Sequence, residues 1–182
     1  MKQLSSIFLI ILFSNVWAAA SQTNHPAEAL FIKAQAIFEQ SLAGDNSVTE
    51  EAFEQFKQLS QNYPDNPLFL AYYGSSYTLL GRDAWMPWNK IGYTEKGLDI
   101  IGKALQMLQA KHDFETLRGA PISIETRLVA ITTFLKVPKS FNHFEKAKAV
   151  LNEVWQSPAF ATSPQSLKKL VYEQAAKLES KQ

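Results

Sequence analysis

The chain has 182 residues, no cysteine, and 18 Lys and Arg against 17 Asp and Glu, a formal charge of +1 at neutral pH. Near-neutrality argues against a nucleic-acid partner, whose phosphates call for a basic surface. The missing cysteine excludes disulfides, thiolate metal sites and lipid attachment through an N-terminal Cys.

In chain order, Lys2 precedes an apolar run from Ile7 to Trp17, which is followed by Ala18-Ala19-Ala20. A basic start, an apolar stretch shorter than the roughly 20 residues of a membrane span, and small residues at the cleavage point make a secretory signal peptide over 1–20. Cleavage near Ala20 is expected to release residues 21–182 as a periplasmic or secreted protein with no stable membrane insertion. Without Lys2, that portion carries 17 basic and 17 acidic residues. Its size suits a single domain held by its core alone, since about 160 residues bury roughly 68–70% of their surface.

Pro26 suits the first turn of a helix running to about Leu42, with Ala27, Leu30, Phe31, Ala34 and Phe38 at helical spacing. Gly44-Asp45-Asn46 reads as a turn, and Ser47 with Glu50 as a capping box for a second helix that Pro64 stops. Asn66-Pro67 caps a third helix, expected to end at Gly81. Its partner carries Gly97, Ile101 and Ala104 and follows an insertion from Arg82 to Tyr93, expected to be a long loop. Ile122 to Lys136 reads as a helix closed by Val137-Pro138, and Asn142 with Glu145 as the cap of another bearing Ala147, Leu151 and Val154. Ser163-Pro164 opens a last helix with an apolar stripe of Leu167, Leu170, Val171, Ala175 and Leu178. The sum is an all-α chain of about seven helices: pairs at about 26–63, 66–110 and 122–157, and a capping helix at 164–180.

Within the third helix, Leu70, Tyr73, Gly74 and Tyr77 stand at the positions of the repeat signature W-x2-L-G-x2-Y, with Gly74 and Tyr77 matching outright. A small residue at Gly74 lets a second helix approach closely, and Tyr77 one turn on fills the gap beside it. Ala52, Phe56, Leu59 and Pro64 repeat the distal half of the same unit. The chain therefore resembles tetratricopeptide-repeat (TPR) proteins, in particular small exported bacterial ones, with its specific motifs between Ala52 and Ala104. The spacing from Ala52 to Gly97 is 45 residues, longer than the ~34 of that repeat, so the connections are expected to have grown.

The resemblance implies an antiparallel helix array that binds another envelope protein or peptide in a concave groove lined by the first helices of its pairs, with no catalysis and no cofactor. By that resemblance Tyr72 and Ser76, beside Leu79, are contact positions on the third helix, and Glu125 and Arg127 face the groove from the first helix of pair three or form a solvated pair. The insertion holds Trp85, Met86, Trp88 and Tyr93 between Arg82 and Lys90. Trp and Tyr join a large apolar face to one donor, the composition of binding hot spots. Two readings stand: these residues line or cap the groove, with Arg82 and Lys90 as rim charges, or Trp85, Trp88 and Tyr93 cover the end of a lengthened helix pair.

An enzyme finds little support. His25, His112 and His143 are dispersed, no H-E-x-x-H helix or Gly-rich phosphate loop is present, and His112-Asp113 with Glu115 reads as a solvated turn. The alternative to an adaptor is a periplasmic binding protein whose closed pocket around Trp85 and Trp88 takes a small apolar or carbohydrate ligand. Membrane association through Lys168, Lys169, Lys177 and Lys181 is less favoured, because Glu173 and Glu179 interleave with them as on a solvated face.

Overall fold

The structure, a computed structural model, describes residues 25–181; the expected signal peptide lies outside them. Proline and asparagine punctuation sets most helix starts. Asn66 accepts from the backbone N–H groups of Leu68 and Phe69, and Pro67 fills the first turn, so the third helix starts where the sequence places it.

Among the described residues the chain forms eight α-helices: α1 (His25–Ala43), α2 (Thr49–Asn62), α3 (Pro67–Asp83), α4 (Pro87–Gln106), α5 (Ile122–Lys136), α6 (Phe144–Gln156), α7 (Pro158–Thr162) and α8 (Gln165–Glu179). Consecutive helices pack against each other in antiparallel pairs, α1 on α2, α3 on α4 and α5 on α6, and α3 also packs on α2 and α5. The fold is an all-α helix-pair array. Between α4 and α5 lies a two-stranded hairpin, β1 (Thr116–Leu117) and β2 (Ala120–Pro121), with Leu117 opposite Ala120. Its two central residues, Arg118 and Gly119, have φ of 54° and 75°, as a two-residue hairpin turn requires.

The insertion is not a loop. Only Ala84, Trp85 and Met86 separate α3 from α4, which begins at Pro87, two helical turns before the first residue of its buried face. The 45-residue spacing thus comes from lengthened helices rather than a grown connection. Three glycines permit that long pairing. A Cβ on Gly74 would stand 2.7 Å from the Gly97 carbonyl oxygen, one on Gly97 would collide with the Gly74 carbonyl, and one on Gly81 would collide with Thr94 Oγ1. The two backbones touch, so α3 and α4 form the tightest pair in the molecule.

Two expected caps do not form. Ser47 donates to Asp45 rather than capping α2, because a 3-10 turn at Asn46–Val48 intervenes and Thr49 turns its hydroxyl to Asp83 Oδ2 at 2.7 Å. Asn142 sits at φ 60° closing a 3-10 turn, so His143, without a side-chain cap bond, precedes α6. The short α7 was not legible either, which is why eight helices stand where about seven were expected.

The core has two main parts. Phe31, Phe38, Phe56, Phe69 and Tyr72 pack α1, α2 and α3 together, with Tyr72 stacked on Phe56 at 4.7 Å between centroids. Ile101, Ile124, Ile131, Val154 and Val171 join α4, α5, α6 and α8. The hydrogen bond between Ser75 and Thr133, 2.8 Å, ties α3 to α5 where the two parts meet.

Candidate functional site

The first helices of the three pairs, α1, α3 and α5, converge on one hollow that α8 closes from the far side. This groove encloses about 540 Å³, within the range of small-ligand and peptide sites. Apolar walls come from Phe38, Leu42, Leu128, Val129 and Leu167, and Leu170 of α8 lies at the edge, 46% exposed.

A chain of polar contacts crosses its floor. Gln35 Nε2 donates to the Tyr72 hydroxyl at 3.0 Å, Arg118 Nη1 donates to Gln35 Oε1 at 2.6 Å, and Arg118 Nη2 donates to Glu125 Oε1 at 2.6 Å. The guanidinium also lies 4.8 Å from the centre of the Phe31 ring, a cation–π contact. Glu125 is 7% exposed and its Oε2 has no hydrogen-bond partner. Burial pushes its carboxyl up to about 7 against the opposing pull of Arg118. Burial likewise raises Tyr72, leaving it a neutral phenol that accepts from Gln35. The arrangement is a fixed polar rail between apolar walls, suited to orienting a bound chain.

No family model, curated protein or solved structure matches this chain.

The predicted residues separate into groups. Tyr72 and Glu125 line the groove, but Tyr72 is mostly spent on the aromatic core. Ser76 does not reach it: the residue is fully buried and its hydroxyl donates to the Tyr72 carbonyl at 2.9 Å. The cause is that α2, α4 and α5 cover α3, leaving it no free outer face; Leu79 is buried for the same reason. Arg127 is not paired with Glu125. It donates to Glu153 Oε2 at 3.1 Å, bracing α5 on α6, and is absent from the groove wall.

None of Arg82, Trp85, Trp88, Lys90 and Tyr93 lines the groove, so the insertion is neither its wall nor its cap. Arg82 is a brace rather than a rim charge: it donates to Asp83 through Nε at 2.6 Å and to the Ser41 carbonyl through Nη1 at 2.7 Å. Arg82 in turn holds the Asp83 carboxyl below its ordinary range. Lys90 donates to the Arg82 carbonyl at 3.0 Å. Trp85 is 88% exposed and Trp88 65%. The covering role is therefore overturned, and so is a closed pocket around these two rings: they stand in solvent. Tyr93 is also exposed, with its ring 6.2 Å from that of Tyr77.

His112 is not in a solvated turn. It is buried, its Nδ1 accepts from the Gln109 backbone N–H at 2.9 Å, and burial lowers its pKa. A second hollow of about 630 Å³ lies beside Tyr63, Pro64 and β1, but its charged residues Asp65, Lys111 and Glu115 are all exposed and no buried charge faces it.

Sequence reading missed Gln35, Arg118 and the α8 residues of the groove. Arg118 carried one usable signal, the Arg118-Gly119 step between Leu117 and Ala120, which fits a two-residue hairpin. Nothing local tells that the guanidinium would reach from there to both α1 and α5.

Proposed function

We propose that this chain is an exported protein-binding adaptor or scaffold of the bacterial envelope, without chemistry of its own, that holds a segment of a partner protein in the groove between α1, α3, α5 and α8. The observation that carries the reading is the groove itself. It is half open, and its apolar walls enclose a polar rail already fixed by internal hydrogen bonds. A pre-organised site loses little entropy on binding, and a trough accommodates a chain better than a compact molecule. The resemblance to TPR proteins supports it, since the groove is bounded by the first helix of each pair. The signal-peptide pattern supports the location.

The test is photo-cross-linking in intact cells from a benzoyl-phenylalanine placed at Leu170 or Thr132, both in the groove wall, beside one at Gln61, an exposed residue of α2. One envelope protein captured from the two groove positions and not from Gln61, and lost in Leu170→Glu, is the expected result. A chain that captures no protein but retains a small molecule in native mass spectrometry would replace the adaptor with a ligand-binding protein.

A further inference from the structure

Every residue from Trp85 to Tyr93 is exposed, the first two turns of α4 included. Six of these nine residues, Trp85, Met86, Pro87, Trp88, Ile91 and Tyr93, are apolar or aromatic, and none is acidic. Trp88 and Ile91 stand one turn apart on the same face of α4. Soluble surfaces rarely leave two tryptophans this bare, and contiguous apolar exposure marks a contact with something else.

Composition and charge select among the candidates. The tip is the end of a helical hairpin whose exposed surface combines Trp and Tyr rings with Met and Ile and carries no carboxylate from Trp85 to Tyr93. Trp and Tyr concentrate at membrane–water interfaces, where an apolar ring and its polar N–H or O–H are both accommodated, and a few such side chains entering the headgroup layer suffice for reversible docking. The charge at the tip is positive. Arg82 and Asp83 neutralise each other at 2.6 Å, which leaves Lys90, an exposed residue whose ammonium spends one of its three donors on the Arg82 carbonyl and keeps the others for phosphate.

We infer that the α3–α4 tip docks at the water interface of a phospholipid bilayer, with Trp85, Met86, Trp88 and Ile91 entering the headgroup region and Lys90 contacting anionic phosphates. Docking is interfacial: among the described residues no helix is long and apolar enough to cross a membrane. It leaves the groove open, since no tip residue lines it, and it does not depend on the adaptor reading. An adaptor held in this way would present its partner close to the membrane.

The test uses the protein purified from exporting cells in a Trp155→Phe background, so that emission from the described residues comes from Trp85 and Trp88 alone. Vesicles of phosphatidylethanolamine and phosphatidylglycerol are compared with vesicles of phosphatidylcholine. Co-sedimentation with the anionic vesicles, a blue shift of tryptophan emission and quenching by brominated lipid are expected. Trp85→Ala with Trp88→Ala should weaken partitioning by about tenfold or more, and Lys90→Gln should weaken it on anionic vesicles only. Circular dichroism of the double variant checks folding, and brominated-lipid quenching in the parent protein gives the same answer without any tip substitution. Failure to sediment, sedimentation that survives the double substitution, or a blue shift that follows protein concentration without lipid each overturns the inference. The last would give the tip to a second copy of this chain.

Discussion

Glu125 has one carboxylate oxygen held by Arg118 and the other held by nothing, in a wall where water does not reach it. Its pKa near 7, against an ordinary 4.5, ties the stability of the molecule to pH. Between those two values the folded protein keeps a proton that the unfolded chain has released. The contribution is therefore fully present below about 4.5 and is lost as pH rises through about 7. Glu125→Gln, which still offers Arg118 an acceptor, should abolish that slope. At pH above about 7 it should be the more stable protein, by as much as about 3 kcal/mol, since each pKa unit is worth ~1.4 kcal/mol. Urea unfolding of both proteins at pH about 5 and about 8 checks this, and parallel slopes would refute it. Glu125 was legible as a groove residue because α5 was legible as a first helix. Its partner was not, because Arg118 lies in a left-handed turn that Gly, Asn or Asp more often occupies.

Helix pairing turns on where backbones touch, and α3 with α4 makes this testable at the scale of an element. Gly74 and Gly97 meet across the pair with no room for a methyl group, whereas Gly102, also within α4, has nothing within 4 Å of where its Cβ would be. Gly74→Ala should destabilise by about 1–3 kcal/mol, because backbone and not a flexible side chain stands in the way. Gly102→Ala should stabilise by about 0.5–1 kcal/mol, the helix propensity that glycine forfeits. Thermal unfolding of the two variants should move in opposite directions; equal shifts would mean that the contact is not as close as it stands here. The close approach at Gly74 was readable from a small residue at a known offset. The start of α4 at Pro87 was not, because a helix shows its period only where one face is buried, and every residue of these two turns is exposed. The aromatic content of the tip looked like a loop for that reason. Capping boxes failed as signals at Ser47 and Asn142 for another: both lie beside 3-10 turns that use their side chains or backbone differently.

Across the whole molecule, burial is distributed unevenly, and so should stability be. Twelve of the seventeen residues of α3 are buried, against four of fifteen in α8. α3 is covered by α2, α4 and α5, while α8 leans chiefly on α5 and α6. In an array of this kind each helix is held chiefly by its neighbours, and an end helix with one packed side opens before the centre does. Amide hydrogen exchange should therefore find the slowest protons in α3, exchanging only through global unfolding, and faster ones in α8, released by a smaller opening in which Leu167, Val171 and Leu178 leave the core together. That opening has a consequence for the groove. Pro164, Leu167, Leu170 and Gln174 supply one of its walls, so the helix that closes the site is itself lightly secured. Occupation of the groove should slow exchange in α8 more than in α3, since only α8 has a local opening for a ligand to suppress. Uniform protection across both helices, with or without an occupant, would show instead that the two halves of the core unfold as one unit and that the wall of the groove does not move on its own.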